Sequence, residues 1–470
     1  METSIETRRV SLDDLKQHNK ANDCWIAVHS KVWDITHFIN EHPGGPEVLL
    51  NLAGSDATEL YNDVHAPDII EDLPSDKLIG LLEESAISRP TPKAAPEIDP
   101  VPPPTSPTQT NDVPSTPKTK TIPPLDAILS APDFEKAAQD SLSAKTWAFY
   151  SSAATDLVTH GKNKELVRRV MIRPRILRNV SHVTYKTSIL GFDSSAPFFI
   201  SPAAMARLAH PDGELALSRA AANEGIIQCI SSNASFSLKS IVNAAPLSQP
   251  FFFQLYVNSN HEKTIELLKT VRGLGVKAIF VTVDAPVPGK READERAAQE
   301  QTVKSAISGG ESSRDKKGSG FGRLMAQYID KSLCWDDLAW IREASGGLPI
   351  VLKGVQTAED VIKAVEYGVE EVFDQLEVYI DGGFERGSDI LKAIALGATA
   401  VGIGRPFLYS LIHGQDGAEH LCHILKDELE TSMRLCGITS LSEARPSLVN
   451  TLDVDHMVVG NAYTRLLSKL

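Results

Sequence analysis

Seven short apolar runs, each ending in small or functional residues, dictate most of what this chain can become. They are Phe198-Phe-Ile-Ser-Pro202, Ile226-Ile-Gln-Cys-Ile-Ser231, Phe251-Phe-Phe-Gln-Leu-Tyr256, Ala278-Ile-Phe-Val-Thr-Val-Asp284, Pro349-Ile-Val-Leu-Lys353, Val378-Tyr-Ile-Asp381 and Ala400-Val-Gly-Ile-Gly404. Helical patterning over residues 214–224, 262–274 and 358–367 separates several of them. Continuous apolar strands alternating with helices build a parallel sheet covered on both faces. Polar and glycine residues at the strand ends place a site at the C-terminal mouth of a barrel. A closed barrel of this kind takes eight strands, so the chain is one short. The shortage falls between Lys353 and Asp381, where the sequence runs through Gly368-Val-Glu-Glu-Val-Phe-Asp-Gln-Leu-Glu377.

The chain has 470 residues, 42% hydrophobic and 23% charged, enough for two or three domains and a large core. A net charge of -14 argues against nucleic acid or an anionic membrane surface as partner, though it would suit a basic protein. No apolar stretch is long enough to span a membrane. Residues 1–10 mix Glu2 and Glu6 with Arg8 and Arg9 and show no clear targeting signal, which leaves a cytoplasmic or mitochondrial intermembrane-space location. Cys24, Cys229, Cys334, Cys422 and Cys436 are scattered without metal spacing and read as mostly buried, reduced thiols of an intracellular protein. Composition divides the chain into a compact segment 1–84, a proline-rich tether 85–125 and the strand–helix region 126–470, incomplete between 370 and 377. Within the last, the charged, glycine-rich stretch 289–322 follows the fourth strand and reads as a mobile cover for the mouth.

In the N-terminal segment, Glu41-His42-Pro43-Gly44-Gly45 puts His42 on a sharp, stiffened loop, and His65 follows in Asn62-Asp-Val-His-Ala-Pro67. Two neutral imidazoles from opposite walls of an apolar cleft give a six-coordinate haem iron, suited to passing electrons because no position is left for a substrate. His18 and His29 read as structural. With CWIAVHSKVWDIT, FINEHPGG and DVHAPDII in place, residues 8–84 resemble a cytochrome b5 domain. That resemblance implies an α+β fold holding haem b between His42 and His65. His37, expected in the helix before the loop, is the weaker candidate.

At the strand ends, Asp381-Gly382-Gly383 and Gly404-Arg405-Pro406 offer backbone N–H groups and a guanidinium to an anion, the usual phosphate position of a barrel. Lys353 alone would read as a lysine snorkelling at a strand end; beside a flavin it would stabilise negative charge on the reduced ring. Ser231, Gln254 and Thr282 are hydrogen-bonding side chains able to hold a flat heterocycle's polar edge. The segments WAFYSSAATD, SPAAMARLAHPDGE, QLYV, FVTVDAP, PIVLKGVQ, DGGFERGSDILKA and GIGRPFLYS resemble the FMN-dependent L-2-hydroxy-acid dehydrogenase/oxidase family over about residues 126–450.

With the haem domain in front, the whole chain resembles proteins of the flavocytochrome b2 type. The resemblance implies an α/β (β/α)8 TIM-barrel-type domain lacking its sixth strand and helix. It also implies FMN and haem b as cofactors, a lactate-like 2-hydroxy-acid substrate, cytochrome c or a similar electron acceptor, and a homotetramer. Carried over by position, Tyr256 contacts the substrate, Asp284 orients a catalytic imidazolium and Arg291 belongs to the catalytic set. Ser201, Pro202, Ala203 and Ala204 lie along the flavin, with Lys353 at its N1 edge. Asp381, Gly382, Gly383, Gly404 and Arg405 surround ribityl and phosphate.

Three departures stand out. Phe149 occupies the place of a substrate-binding tyrosine. Glu385 stands where arginine is usual, an unfavourable exchange unless Arg386 or another cation compensates. The family's SNHGGR segment, with its general-base histidine and substrate arginine, is missing, and no later histidine sits at a strand end. Losing a general base costs a factor of roughly 10²–10⁴. The sequence therefore supports an enzyme of this family with an internal segment lost through a skipped exon or mis-called intron. It also leaves open a catalytically impaired haem-binding electron-transfer protein, and an FMN enzyme with another donor.

Overall fold

The computed structural model describes residues 9–39, 49–50, 52–58, 61, 70, 73–83, 122–297, 303–304, 307–308, 311–312, 322, 326–369 and 376–457. The expected haem ligands His42 and His65, residues 85–121 of the tether and residues 370–375 lie outside them. The described residues fall into two compact units, one within 9–83 and one within 122–457.

The first unit is a five-stranded sheet made of β1 (Arg9–Val10), β2 (Asn19–Lys20), β3 (Asp23–Val28), β4 (Lys31–Asp34) and β5 (Leu78–Leu82), in the order β1-β5-β4-β3-β2, with the short helix α1 (Leu12–Leu15). Alternation along β3 sends Cys24, Ile26 and Val28 into a core with Trp33, Ile35, Ile39 and Tyr61. The β3–β4 hairpin turns on His29 and Ser30, at φ 50° and 62°, and the His29 amide is held by the Thr58 hydroxyl at 2.9 Å. His18 stacks on Trp25 and sits 2.6 Å from Asp23. One expectation fails: His37 lies exposed in a turn rather than in a helix, because the chain from Ile35 to Ile39 closes on itself immediately after β4.

The second unit opens with α2 (Ala131–Ser141), α3 (Ala144–Ser151) and α4 (Val158–Arg169). Strands and helices then alternate: β6 (Phe198–Ile200), α5 (Gly213–Glu224), β7 (Gln228–Ser231), α6 (Leu238–Asn243), β8 (Phe251–Leu255), α7 (His261–Gly273) and β9 (Ala278–Thr282). After α8 (Glu292–Arg296) come α9 (Asp337–Ala344), β10 (Ile350–Lys353), α10 (Ala358–Glu366), β11 (Tyr379–Asp381), α11 (Gly387–Ala395), β12 (Ala400–Ile403), α12 (Arg405–Ser410) and the long α13 (Gly414–Cys436). All seven apolar runs are strands, in one parallel sheet of order β10-β9-β8-β7-β6-β12-β11.

The curl is filled by an aromatic cluster. Phe252 and Phe280 stack at 5.4 Å, and Tyr379 reaches from β11 to within 6.0 Å of both Phe280 and Phe199. The barrel does not close. β10 and β11 are its two edges, and among the described residues no strand lies between them. Val378 and Ile380, beside and on the β11 edge, stay 45% and 43% exposed, where neighbouring strands elsewhere bury such residues. No described helix is long and apolar enough to cross a membrane.

Candidate active site

Because the strands run parallel, their C-terminal ends meet at one mouth. Lys353, Thr282 and Ser231 end β10, β9 and β7, and Gln254 is the penultimate residue of β8; Ser201 and Gly404 follow β6 and β12, and Asp381 ends β11. All of them, with Pro202, Ala203, Ala204, Tyr256, Asp284, Arg291, Gly382, Gly383 and Arg405, line a single cleft of about 520 Å³. Every barrel residue expected to touch flavin or substrate thus lines one cavity.

Parallel register sets Ser231 level with Gln254. The Gln254 amide donates to the Thr282 hydroxyl at 2.9 Å, and its carbonyl oxygen accepts from the Ser231 hydroxyl and the Ser232 amide, both at 3.2 Å. Two buried groups fix the turn carrying Pro202–Ala204. The Tyr150 hydroxyl donates to the Met205 carbonyl at 2.6 Å. Glu214 accepts from the Ala206 and Ser235 amides at 3.0 and 2.9 Å. Burial raises the Glu214 carboxyl above its usual range, against those N–H donors. Sequence reasoning did not find Glu214; a carboxylate among the apolar residues of α5 was the signal.

Charge is concentrated at the open side. Lys353 Nζ lies 3.1 Å from Asp381 Oδ2. Burial pulls the ammonium down, but Asp381 and then Asp284 outweigh it and hold Lys353 above the ordinary lysine value. Tyr256 is raised by burial, Lys353 opposing and Asp284 reinforcing. Arg291 is lowered by burial and by Arg405, and lies over the Phe149 ring at 5.7 Å. Gly354 sits against Asp284 at φ 103°, where a Cβ would come within 2.4 Å of the carboxylate carbon. Asp284 itself makes no hydrogen bond or ion pair with a described residue.

The opposite end includes a helix that the sequence reading missed. His160, Asn163 and Lys164, one turn apart on α4, face the cleft beside Gly383 and Arg405. Arg405 is oriented by the Tyr150 and Ser152 carbonyls at 3.1 and 3.2 Å. Glu385 is compensated by Lys164 at 2.5 Å and Arg168 at 3.4 Å, whereas Arg386 pairs with Glu428 at 2.7 Å. Burial, then Arg405, lowers His160.

Ser201, His160 and Tyr409 line this cleft, and their Oγ, Nε2 and Oη atoms are buried without a hydrogen-bond partner among the described residues. Each such atom costs about 1–3 kcal/mol, so the cleft fits a polar ligand that satisfies them. A row of amide and hydroxyl groups beside a lysine, with glycines and a guanidinium opposite, suits a flavin mononucleotide in both halves.

The chain matches the family of FMN-dependent dehydrogenases over residues 138–373 and 369–451, and the cytochrome b5-like heme/steroid binding domain over 11–83. It is 37% identical over 497 aligned residues to L-lactate dehydrogenase (cytochrome) of Saccharomyces cerevisiae, covering 97% of this chain and 82% of that one. Glycolate oxidase 3 of Oryza sativa subsp. japonica is 37% identical over 352 residues, 68% of this chain and 95% of the relative. The solved flavin-binding domain of baker's yeast flavocytochrome b2 superposes with a TM-score of 0.64 at 39% identity, covering 72% of this chain and 90% of that one.

Proposed function

Because the chain belongs to the FMN-dependent dehydrogenase family and carries a cytochrome b5-like haem domain ahead of the barrel, we propose that it is built to oxidise an L-2-hydroxy acid of the lactate type. The product is the 2-oxo acid, and electrons leave through a b-type haem to cytochrome c or a similar acceptor. FMN and haem are the cofactors the two domains imply. The observation that carries the reading is the single cleft that joins the Ser231–Gln254–Thr282 row, Lys353 and Arg405.

When bound, FMN supplies a two-electron acceptor. Ser231, Gln254, Thr282 and Lys353 would hold its ring edge; Gly383, Gly404 and Arg405 would hold its phosphate. Arg291 and Tyr256 take the substrate carboxylate, a charge-assisted contact that orients the α-carbon. Asp284 is placed to stabilise a protonated imidazole. Among the described residues the only cleft histidine is His160, at the phosphate end.

We therefore read this chain as lacking the general base, with turnover lowered by roughly 10²–10⁴. Two observations support that reading. The family match is split into stretches meeting at 369–373, and the unpaired edges of β10 and β11 flank the same point. Asp284, with no hydrogen-bond or ion-pair partner among the described residues, favours a second reading, in which only the haem domain, with His42 and His65 as ligands, transfers electrons. The domain limits 1–84, 85–125 and 126–470, a homotetramer, and a cytoplasmic or intermembrane-space location complete the proposal.

The test is an absorbance spectrum of the purified protein before and after L-lactate. Flavin and haem bands together, with slow bleaching of the first and reduction of the second, are expected. Haem bands without flavin would overturn the enzyme reading.

A further inference from the structure

Asp294 is fully buried and takes no part in the chemistry proposed for the cleft, yet three segments meet on it. Lys145, in the first turn of α3, brings its ammonium to 2.8 Å from Asp294 Oδ1 and donates to the Asp294 carbonyl at 2.5 Å. The Gly322 amide donates to Oδ2 at 3.1 Å. The two side chains are only 10% and 1% exposed. The contact to Oδ1 is a close ion pair rather than an aligned hydrogen bond.

The same two helices meet again one turn away. Asp294, in the first turn of α8, lies three residues beyond Arg291, the residue at the N-cap of that helix. Phe149 lies one turn beyond Lys145 on α3. Arg291 rests on the Phe149 ring and donates to the Phe149 carbonyl at 3.4 Å. Gly322 flanks the arginine stem, where a Cβ would come within 3.3 Å of Arg291 Cδ. A buried pair is strongly unfavourable when half-made, so Lys145 and Asp294 set the angle between α3 and α8. Arg291, an otherwise long and freely rotating side chain, is thereby aimed into the cleft.

We propose that the Lys145–Asp294 ion pair is the positioning device for Arg291, locking α8 to α3 so that the guanidinium meets the carboxylate of a 2-hydroxy or 2-oxo acid. This rests on Arg291 being the carboxylate ligand. The full-length, FMN-loaded protein is titrated with pyruvate, followed by perturbation of the flavin absorbance, and FMN affinity is measured separately.

A double variant Lys145→Met/Asp294→Asn removes both charges and leaves no unpaired buried ion. It is expected to keep its FMN affinity while binding pyruvate about tenfold more weakly, and Lys145→Arg alone is expected to retain binding. Parent-like pyruvate affinity in the double variant overturns the proposal. Loss of FMN along with pyruvate overturns it too, by making the pair a support of the whole mouth. Arg291→Gln separates the premise: if that variant binds pyruvate as the parent does, the assignment of Arg291 is what fails.

Discussion

The Lys353 ammonium lies 3.1 Å from the Asp381 carboxylate, and the two residues end β10 and β11, which among the described residues are the two edge strands of the barrel sheet. The pair therefore spans the gap in the curl. Its side chains are 23% and 41% exposed, so its own contribution to stability is about 0–1 kcal/mol. Its larger effect is electrostatic. It keeps a cation at the ring end of the cleft while screening it with Asp381, the first residue of the glycine turn at the phosphate end.

Replacing Lys353 with methionine keeps the stem and removes the charge. Because the pair is partly solvated, the melting temperature of the flavin-free protein is expected to move little. FMN affinity, read by quenching of flavin fluorescence, is expected to fall about tenfold or more through loss of a charge-assisted contact. Unchanged affinity would remove Lys353 from the flavin site.

The same lysine sets a pH dependence. Its folded value lies above the ordinary one, with Asp381 and Asp284 outweighing burial. Such a group contributes its stability in full below the unfolded lysine value of about 10.4 and loses it as pH rises through the folded value. The small difference in melting temperature between the parent and Lys353→Met is thus expected to be constant from neutral pH to about 9 and to vanish as pH rises above about 10.4. A difference that changes near neutrality would contradict this origin.

The strand ends were legible in the sequence because each closes a continuous apolar run, a pattern carried by a few adjacent residues. The order of strands, and hence the meeting of Lys353 with Asp381 across an open side, was not, since it depends on how the sheet curls. The compensation of Glu385 was expected from Arg386 or another cation, without the cation being identified. The structure gives it to Lys164 and Arg168, because α4 lies over that turn. Glu214 escaped notice because its partners are backbone amides, which leave no trace in side-chain patterns. His37 was expected in the helix before the HPGG loop, and the turn that follows β4 takes that place.

Gly383 is held at φ 90°, and a Cβ there would fall 2.5 Å from the Asn163 carbonyl carbon on α4. Gly383→Ala is expected to destabilise the barrel by about 1–3 kcal/mol through backbone strain alone, before the displacement of α4 is counted. Gly161 lies in the same helix with open space around it, so Gly161→Ala is expected to stabilise by about 0.5–1 kcal/mol. Chemical denaturation of both variants reads the contrast. Equal effects would mean that α4 does not rest on the glycine turn.

Phe149 lines the cleft, 6% exposed, beneath Arg291 and near Tyr256. Its ring already supplies the apolar contact, so Phe149→Tyr adds only a hydroxyl, directed along the ring axis. If that axis meets the substrate carboxylate, one added hydrogen bond to a charged acceptor, worth about 1.5–3 kcal/mol, tightens pyruvate binding tenfold or more, at least about 1.4 kcal/mol. The flavin difference spectrum during a pyruvate titration measures it, with FMN affinity as the control. Unaltered pyruvate affinity, with FMN retained, would mean that the phenylalanine faces a different part of the substrate.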